Sequence, residues 1–180
     1  MARLAISGFG QVELNNAAFR RDGRIEAQCK PNASDFSNVK IENGMILAID
    51  GKARELKLPT FPSDVPEVYG LVYSAETAYD ERHAGLKDYY FGVDGAEFLP
   101  RLGYLAVGDK FTTNCATYSS DWATLTSALA AGALYGALST DGVIAIGATV
   151  PSQGPVLEVV KVHTMPDGQK GIQFKVVKDG

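Results

Sequence analysis

Val156-Leu157-Glu158-Val159-Val160-Lys161-Val162-His163-Thr164-Met165, then Pro166-Asp167-Gly168-Gln169, then Ile172-Gln173-Phe174-Lys175-Val176-Val177 reads as two strands around one turn. Ile172, Phe174 and Val176 alternate with Gln173 and Lys175, which is the period of a strand with one wet face. Immediately upstream, Leu134 to Ser139 and Val143 to Val150 flank Thr140-Asp141-Gly142 in the same manner. Gly136 and Gly147 inside those runs imply bulges or close backbone approach.

The turn chemistry recurs at Asp22-Gly23, Asn43-Gly44, Asp50-Gly51 and Asp94-Gly95. An Asn or Asp followed by Gly suits the type I′ hairpin, whose two central residues both need positive φ. Val39-Lys40-Ile41, Met45 to Ile49 and Ala53 to Leu58 are expected as three strands joined at Asn43-Gly44 and Asp50-Gly51. Arg24 to Lys30, Val68 to Tyr73, Arg101 to Ala106 and Lys110 to Cys115 are further strand candidates. A single helix is expected over about 120–131, capped by Ser119 or Ser120, with Asp121 in its first turn. It carries Trp122, Leu125 and Leu129 at helical spacing, and Gly132 offers a left-handed stop. Pro59 to Pro66 holds three prolines and reads as a linker or long loop. The segment from Ala75 to Phe98 is mostly polar, with aromatics at Tyr79, Tyr89, Tyr90, Phe91 and Phe98.

The fold class is therefore mainly β: an antiparallel, hairpin-rich barrel or sandwich with one short α-helix. Residues 1–36 form an extended amino-terminal arm or edge strands, and 37–180 the barrel or sandwich domain. A hydrophobic fraction of 46% suffices for a packed core, which argues against general disorder.

Chemistry is sparse. The net charge of −4 opposes a phosphate-neutralising surface, and Arg20, Arg21 and Arg24 are interrupted by Asp22 and Glu26. No run is long and apolar enough for a membrane helix, and the opening residues do not read as a secretory signal. Cys29 and Cys115 are expected to be reduced, buried small hydrophobes. Neither a Gly-x-Ser-x-Gly elbow nor a Walker loop occurs. Gly8-Phe9-Gly10 begins a dinucleotide fingerprint, but Glu13 stands where the third glycine belongs. Tyr79-Asp80-Glu81-Arg82-His83 gathers potential ligands, though a solvated charged loop is the commoner meaning, and His163 reads as a surface or edge residue. The expectation is no enzyme, no cofactor and no metal.

Several stretches resemble small structural proteins of tailed-phage and prophage head gene clusters. They are Ser7-Gly8-Phe9-Gly10-Gln11 with Phe19 to Gln28, Tyr79-Asp80-Glu81-Arg82, Gly85 to Tyr89, and Pro100 to Leu105. Val107 to Asn114 and Val160 to Phe174 extend the likeness. The resemblance runs along nearly the whole chain, on general patterns and not on a motif with known chemistry. It is similar to capsid decoration, or cement, proteins. That implies a homo-oligomer, trimer or dimer, made in the host cytoplasm, which binds the major capsid protein on the virion surface. No nucleic acid or membrane partner is implied. Leu4, Ile6, Phe9, Val12, Leu14, Phe19, Arg20 and Arg21 are the expected interface residues, as an arm adding backbone hydrogen bonds to a neighbouring edge; the other reading of this stretch is an ordinary edge strand of its own barrel. The alternative is a carbohydrate- or receptor-binding module of a head fibre or tail accessory protein, using the aromatics of 79–98.

Overall fold

Hairpin chemistry places the longest elements where the local pattern puts them. In the computed structural model the described residues are 2–4, 10–13, 25–26, 29–62, 67–74, 99–166 and 168–180. The first half of the chain holds β1 (Ala2–Arg3), β2 (Ile25–Glu26), β3 (Lys30–Pro31), β4 (Ile46–Asp50), β5 (Glu55–Lys57) and β6 (Tyr69–Val72). The second holds β7 (Leu102–Tyr104), β8 (Lys110–Thr113), β9 (Ala116–Tyr118), α1 (Trp122–Ala131), β10 (Tyr135–Leu138), β11 (Ile144–Gly147), β12 (Val156–Thr164) and β13 (Lys170–Lys178). The fold is mainly β.

Two curled sheets form a half-barrel. One has the order β1-β9-β11-β10-β12-β13-β8, the other β2-β7-β6-β4-β5-β3. Because β8, at one end of the larger sheet, and β9, next to β1 at the other, are consecutive, one bent stretch, 110–118, serves both sides of it. The bend lies at Asn114, whose carbonyl accepts from the Ala116 N–H at 2.8 Å. Most pairs are antiparallel, as expected from the hairpins, but β9–β11 and β3–β5 are parallel.

The turns differ from the type I′ expectation. Ser139 N–H donates to Val143 O, Gly142 N–H to Ser139 O, and Gly142 has φ +80°. That is a three-residue loop ending in a left-handed glycine, the bulged hairpin. The β12–β13 turn repeats it, with Gly168 N–H donating to Met165 O, Met165 N–H to Gln169 O, and Gly168 at φ +87°. Asp167 itself, with Asp22-Gly23 and Asp94-Gly95, lies outside the described residues.

Between β4 and β5 the left-handed residue is Arg54 (φ 56°), not Gly51. Asp50 Oδ1 accepts from the Lys52 and Ala53 N–H groups, and Lys57 Nζ donates to Asp50 Oδ2 at 2.7 Å. The Ala53 N–H above all, with the Lys57 ammonium, pulls the Asp50 carboxyl down to about 2. A carboxyl whose pKa is depressed by folding stabilises above its unfolded value, here 3.8, and loses that contribution as pH falls through about 2. Asp50→Ala should therefore be less stable than wild type at neutral pH. The gap should close below about pH 2 in urea titrations, and an NMR titration of Asp50 should show its midpoint there.

The helix opens at Trp122, two residues later than expected. Asp121, not a serine, is the cap: its backbone is extended and its carboxylate accepts the Thr124 N–H at 2.8 Å. Gly132 ends the helix in extended backbone (φ 179°), so the left-handed stop does not form. Leu125 is buried, and Trp122 and Leu129 pack half-buried on the main core. Gly136 bears out close approach: an added Cβ would lie 2.6 Å from Ile144 Cγ2, whereas Gly147 faces open space.

In the proline-rich stretch, residues 59–62 are tied back by Glu67. Its carboxylate accepts from the Thr60 and Phe61 N–H groups and from the hydroxyls of Thr60 and Tyr69.

Two groups of apolar side chains fill the interior. The larger spans both sheets, with Ile46, Leu71, Phe111, Ile144, Leu157, Ile172 and Phe174 fully enclosed. The smaller surrounds Ile41, Met45, Leu47, Leu56, Leu102 and the two free cysteines. Full burial of each such side chain contributes roughly 1.5–3 kcal/mol.

Candidate functional site

Asn43-Gly44 looks in sequence like one more hairpin tip. It is not. Val39-Lys40-Ile41 forms no strand, and the turn at Glu42–Met45 runs through the interior, with all four residues buried. Met45 N–H donates back to Glu42 O at 3.3 Å and Gly44 has φ +91° while Asn43 does not enter the left-handed region. Those angles and that bond describe a type II turn.

Each residue of this turn holds a different part of the molecule. Gly44 N–H donates to Val72 O and Val72 N–H to Met45 O, joining β6. Asn43 Oδ1 accepts the Ser74 N–H at 2.9 Å, and Ser74 Oγ accepts the Arg101 N–H at 3.0 Å. Ile46 N–H donates to Gly142 O, so the β10–β11 turn of the larger sheet docks on β4 of the smaller one. Gly44 leaves room for Thr113 and Cys115, where 110–118 bends.

Glu42 holds the amino terminus. Its residue is 3% exposed, and its carboxylate accepts from Arg3 Nη1 at 2.5 Å and from the Gly10 backbone N–H. Arg3 Nη2 also reaches Cys115 Sγ at 3.5 Å. Further along, Leu4 N–H donates to Ala116 O, Glu13 N–H to Thr112 O and Gln11 N–H to Asn114 Oδ1. Thr113 Oγ1 donates to Gln11 O at 2.6 Å while accepting the Cys115 N–H. Val12 bridges Thr113. Residues 2–4 and 10–13 thus complete both ends of the larger sheet.

Glu42→Gln keeps one acceptor oxygen but removes the charge that faces the Arg3 guanidinium and the Gly10 N–H. The expected loss is about 2 kcal/mol in urea unfolding, read as a lower midpoint with an unchanged slope.

A cleft of about 260 Å³ opens beside this junction, lined by Arg3, Asn38, Val39, Lys40, Glu42, Met45, Asp141 and Val143. That is below the usual 300–1,000 Å³ of a small-molecule pocket. Burial pushes the Cys115 thiol up to about 12, so at neutral pH it is the un-ionised, non-nucleophilic form. Among the described residues no group of three or more His, Cys, Asp or Glu could hold a metal ion. No helix among them is long and apolar enough to cross a membrane.

Of the expected interface residues, Leu4 and Val12 are buried in the chain's own core, at 3% and 8% exposure. Both pack against the core that lines the larger sheet of this same chain. Ile6, Phe9, Leu14, Phe19, Arg20 and Arg21 lie outside the described residues, as do Tyr79 to His83 and the aromatics of 79–98. His163 sits half-buried on β12, opposite Gly171. Glu42 carries no sequence signal: a lone acid beside Asn-Gly reads as a solvated turn.

No family model matches this chain, and neither the curated proteins nor the solved structures compared with it give a match.

Proposed function

We propose that this protein works by binding surfaces, as a decoration or cement protein that sits on an assembled phage head and bridges neighbouring copies of the major capsid protein. The observation that carries the reading is the set of large apolar side chains left outside a stiff β scaffold. Val68, Val107, Val150, Val160 and Val177 are 37–56% exposed. Valine has one stiff side-chain torsion, so docking it costs little rotamer entropy. A scaffold cross-tied at Glu42–Met45 presents such residues in fixed positions, which favours shape recognition over induced fit.

Such a protein acts by mass action alone. A copy that binds only the assembled shell stabilises it by about 2.7 kcal/mol at a hundredfold excess over Kd. A symmetric trimer or dimer would add contacts through effective concentration. The test is its position in purified particles. Symmetric copies over the whole shell are the expected result, and confinement to one vertex, or absence from particles, would overturn it.

A further inference from the structure

We infer that residues 2–4 and 10–13 form a detachable strap that two copies of this chain can exchange, with Glu42 setting how fast the strap lets go. The inference is independent of the shell reading.

The attachment is modular: Leu4 N–H donates to Ala116 O of β9, while Gln11 and Glu13 bond to residues 112–114 at β8. β1 offers a two-residue ladder to β9, Val12 makes one isolated bridge to β8, and Leu4 and Val12 enter the core as two separate plugs. Between these lies Glu42, whose carboxylate takes one bond from each part of the strap, Arg3 and Gly10. Lifting the strap would expose unpaired backbone on both β8 and β9, at the two ends of the larger sheet. Uncovered strand edges recruit another strand. The segment whose fit is already demonstrated is this one, so the occupant is the strap of a second copy, making the same contacts in trans.

In one chain the strap is held at high effective concentration, so exchange in dilute solution is a minor event. Because Glu42 grips the strap equally in cis and in trans, it governs the rate of release more than the balance between the two forms. That separates it from a residue of merely structural weight.

The test uses full-length protein. Ala2 and Tyr118 face each other in the β1–β9 register, at a hydrogen-bonded-pair separation of about 5.5 Å that a disulfide can span. Copies carrying Ala2→Cys are mixed with copies carrying Tyr118→Cys under mild oxidation. The native cysteines are buried and contribute little. A disulfide-linked heterodimer is expected to accumulate, far faster than when Ala2→Cys copies are mixed with copies carrying Ser152→Cys on an exposed loop. Adding Glu42→Gln to both partners should speed it about tenfold, the loss of one charge-assisted bond. Arg3→Met, at a side chain 37% exposed, is a milder latch variant should Glu42→Gln fold poorly, and should speed it likewise.

Failure of the mixture to link, while Ala2→Cys/Tyr118→Cys in one chain closes readily, would overturn the exchange. So would equal linking to Ser152→Cys, which means random collision. A heterodimer rate unmoved by either latch variant would remove Glu42 from the account.

Discussion

Phe174→Ala should cost about 3–5 kcal/mol, the largest loss expected from any single truncation in this protein. Phe174 is fully enclosed on β13, opposite Val159 of β12 on one side and Phe111 of β8 on the other. Its ring centre lies 5.7 Å from that of Phe111 at a 36° tilt, an arrangement worth about 1 kcal/mol beyond the area buried. Gly136 of β10 closes the third side, because an added Cβ there would stand 3.1 Å from the Phe174 ring. Three strands converge on one ring, so the hole left by alanine cannot collapse without breaking their register. Against a total of about 5–15 kcal/mol for a typical domain, such a loss is decisive. Equilibrium urea unfolding should show a large drop in midpoint at constant slope, and Phe174→Leu should recover more than half of it. A loss under about 1 kcal/mol would mean that the ring is not the keystone of the larger sheet.

The second large effect is expected at Gly44. With φ +91° the position is left-handed, and an added Cβ would fall 2.1 Å from Thr113 Oγ1 and 2.8 Å from Cys115 Cβ. Thr113 cannot easily yield, since its hydroxyl is committed to Gln11 O and to the Cys115 N–H. Left-handed strain of roughly 1–2 kcal/mol adds to overpacking of 1–3 kcal/mol, so Gly44→Ala should cost about 3 kcal/mol or more. Gly132→Ala is the control. That glycine is extended and has open space around it, so the change should stay within about 0.5 kcal/mol. Combining Gly44→Ala with Thr113→Ala should return part of the loss, and the double-mutant cycle measures how much of it is this one contact. Simple additivity would place the strain elsewhere.

These positions divide what was legible from what was not. The alternation of Ile172, Phe174 and Val176 with Gln173 and Lys175 identified β13, and the glycines at 142 and 168 marked true turns. Both signals are local, because pleat and turn angles depend on a few consecutive residues. The helix over Trp122–Ala131 was legible for the same reason. Its ends were less so, since Asp121 and the serines before it are all good caps.

By itself, then, the sequence determined a β-rich chain of hairpins with one helix and a large apolar interior. Tertiary structure alone decided that Asn43-Gly44 is a buried crossing and not an exposed tip, that β9–β11 and β3–β5 run parallel, and that Glu42 is enclosed. The reason is distance along the chain. Glu42 meets Gly10 across 32 residues and Thr113 meets Gln11 across 102, and nothing within a turn's length of either partner encodes the other. Leu4 and Val12 show the same division: their apolarity promised burial, and only the closing of the larger sheet decided that they are buried in their own chain.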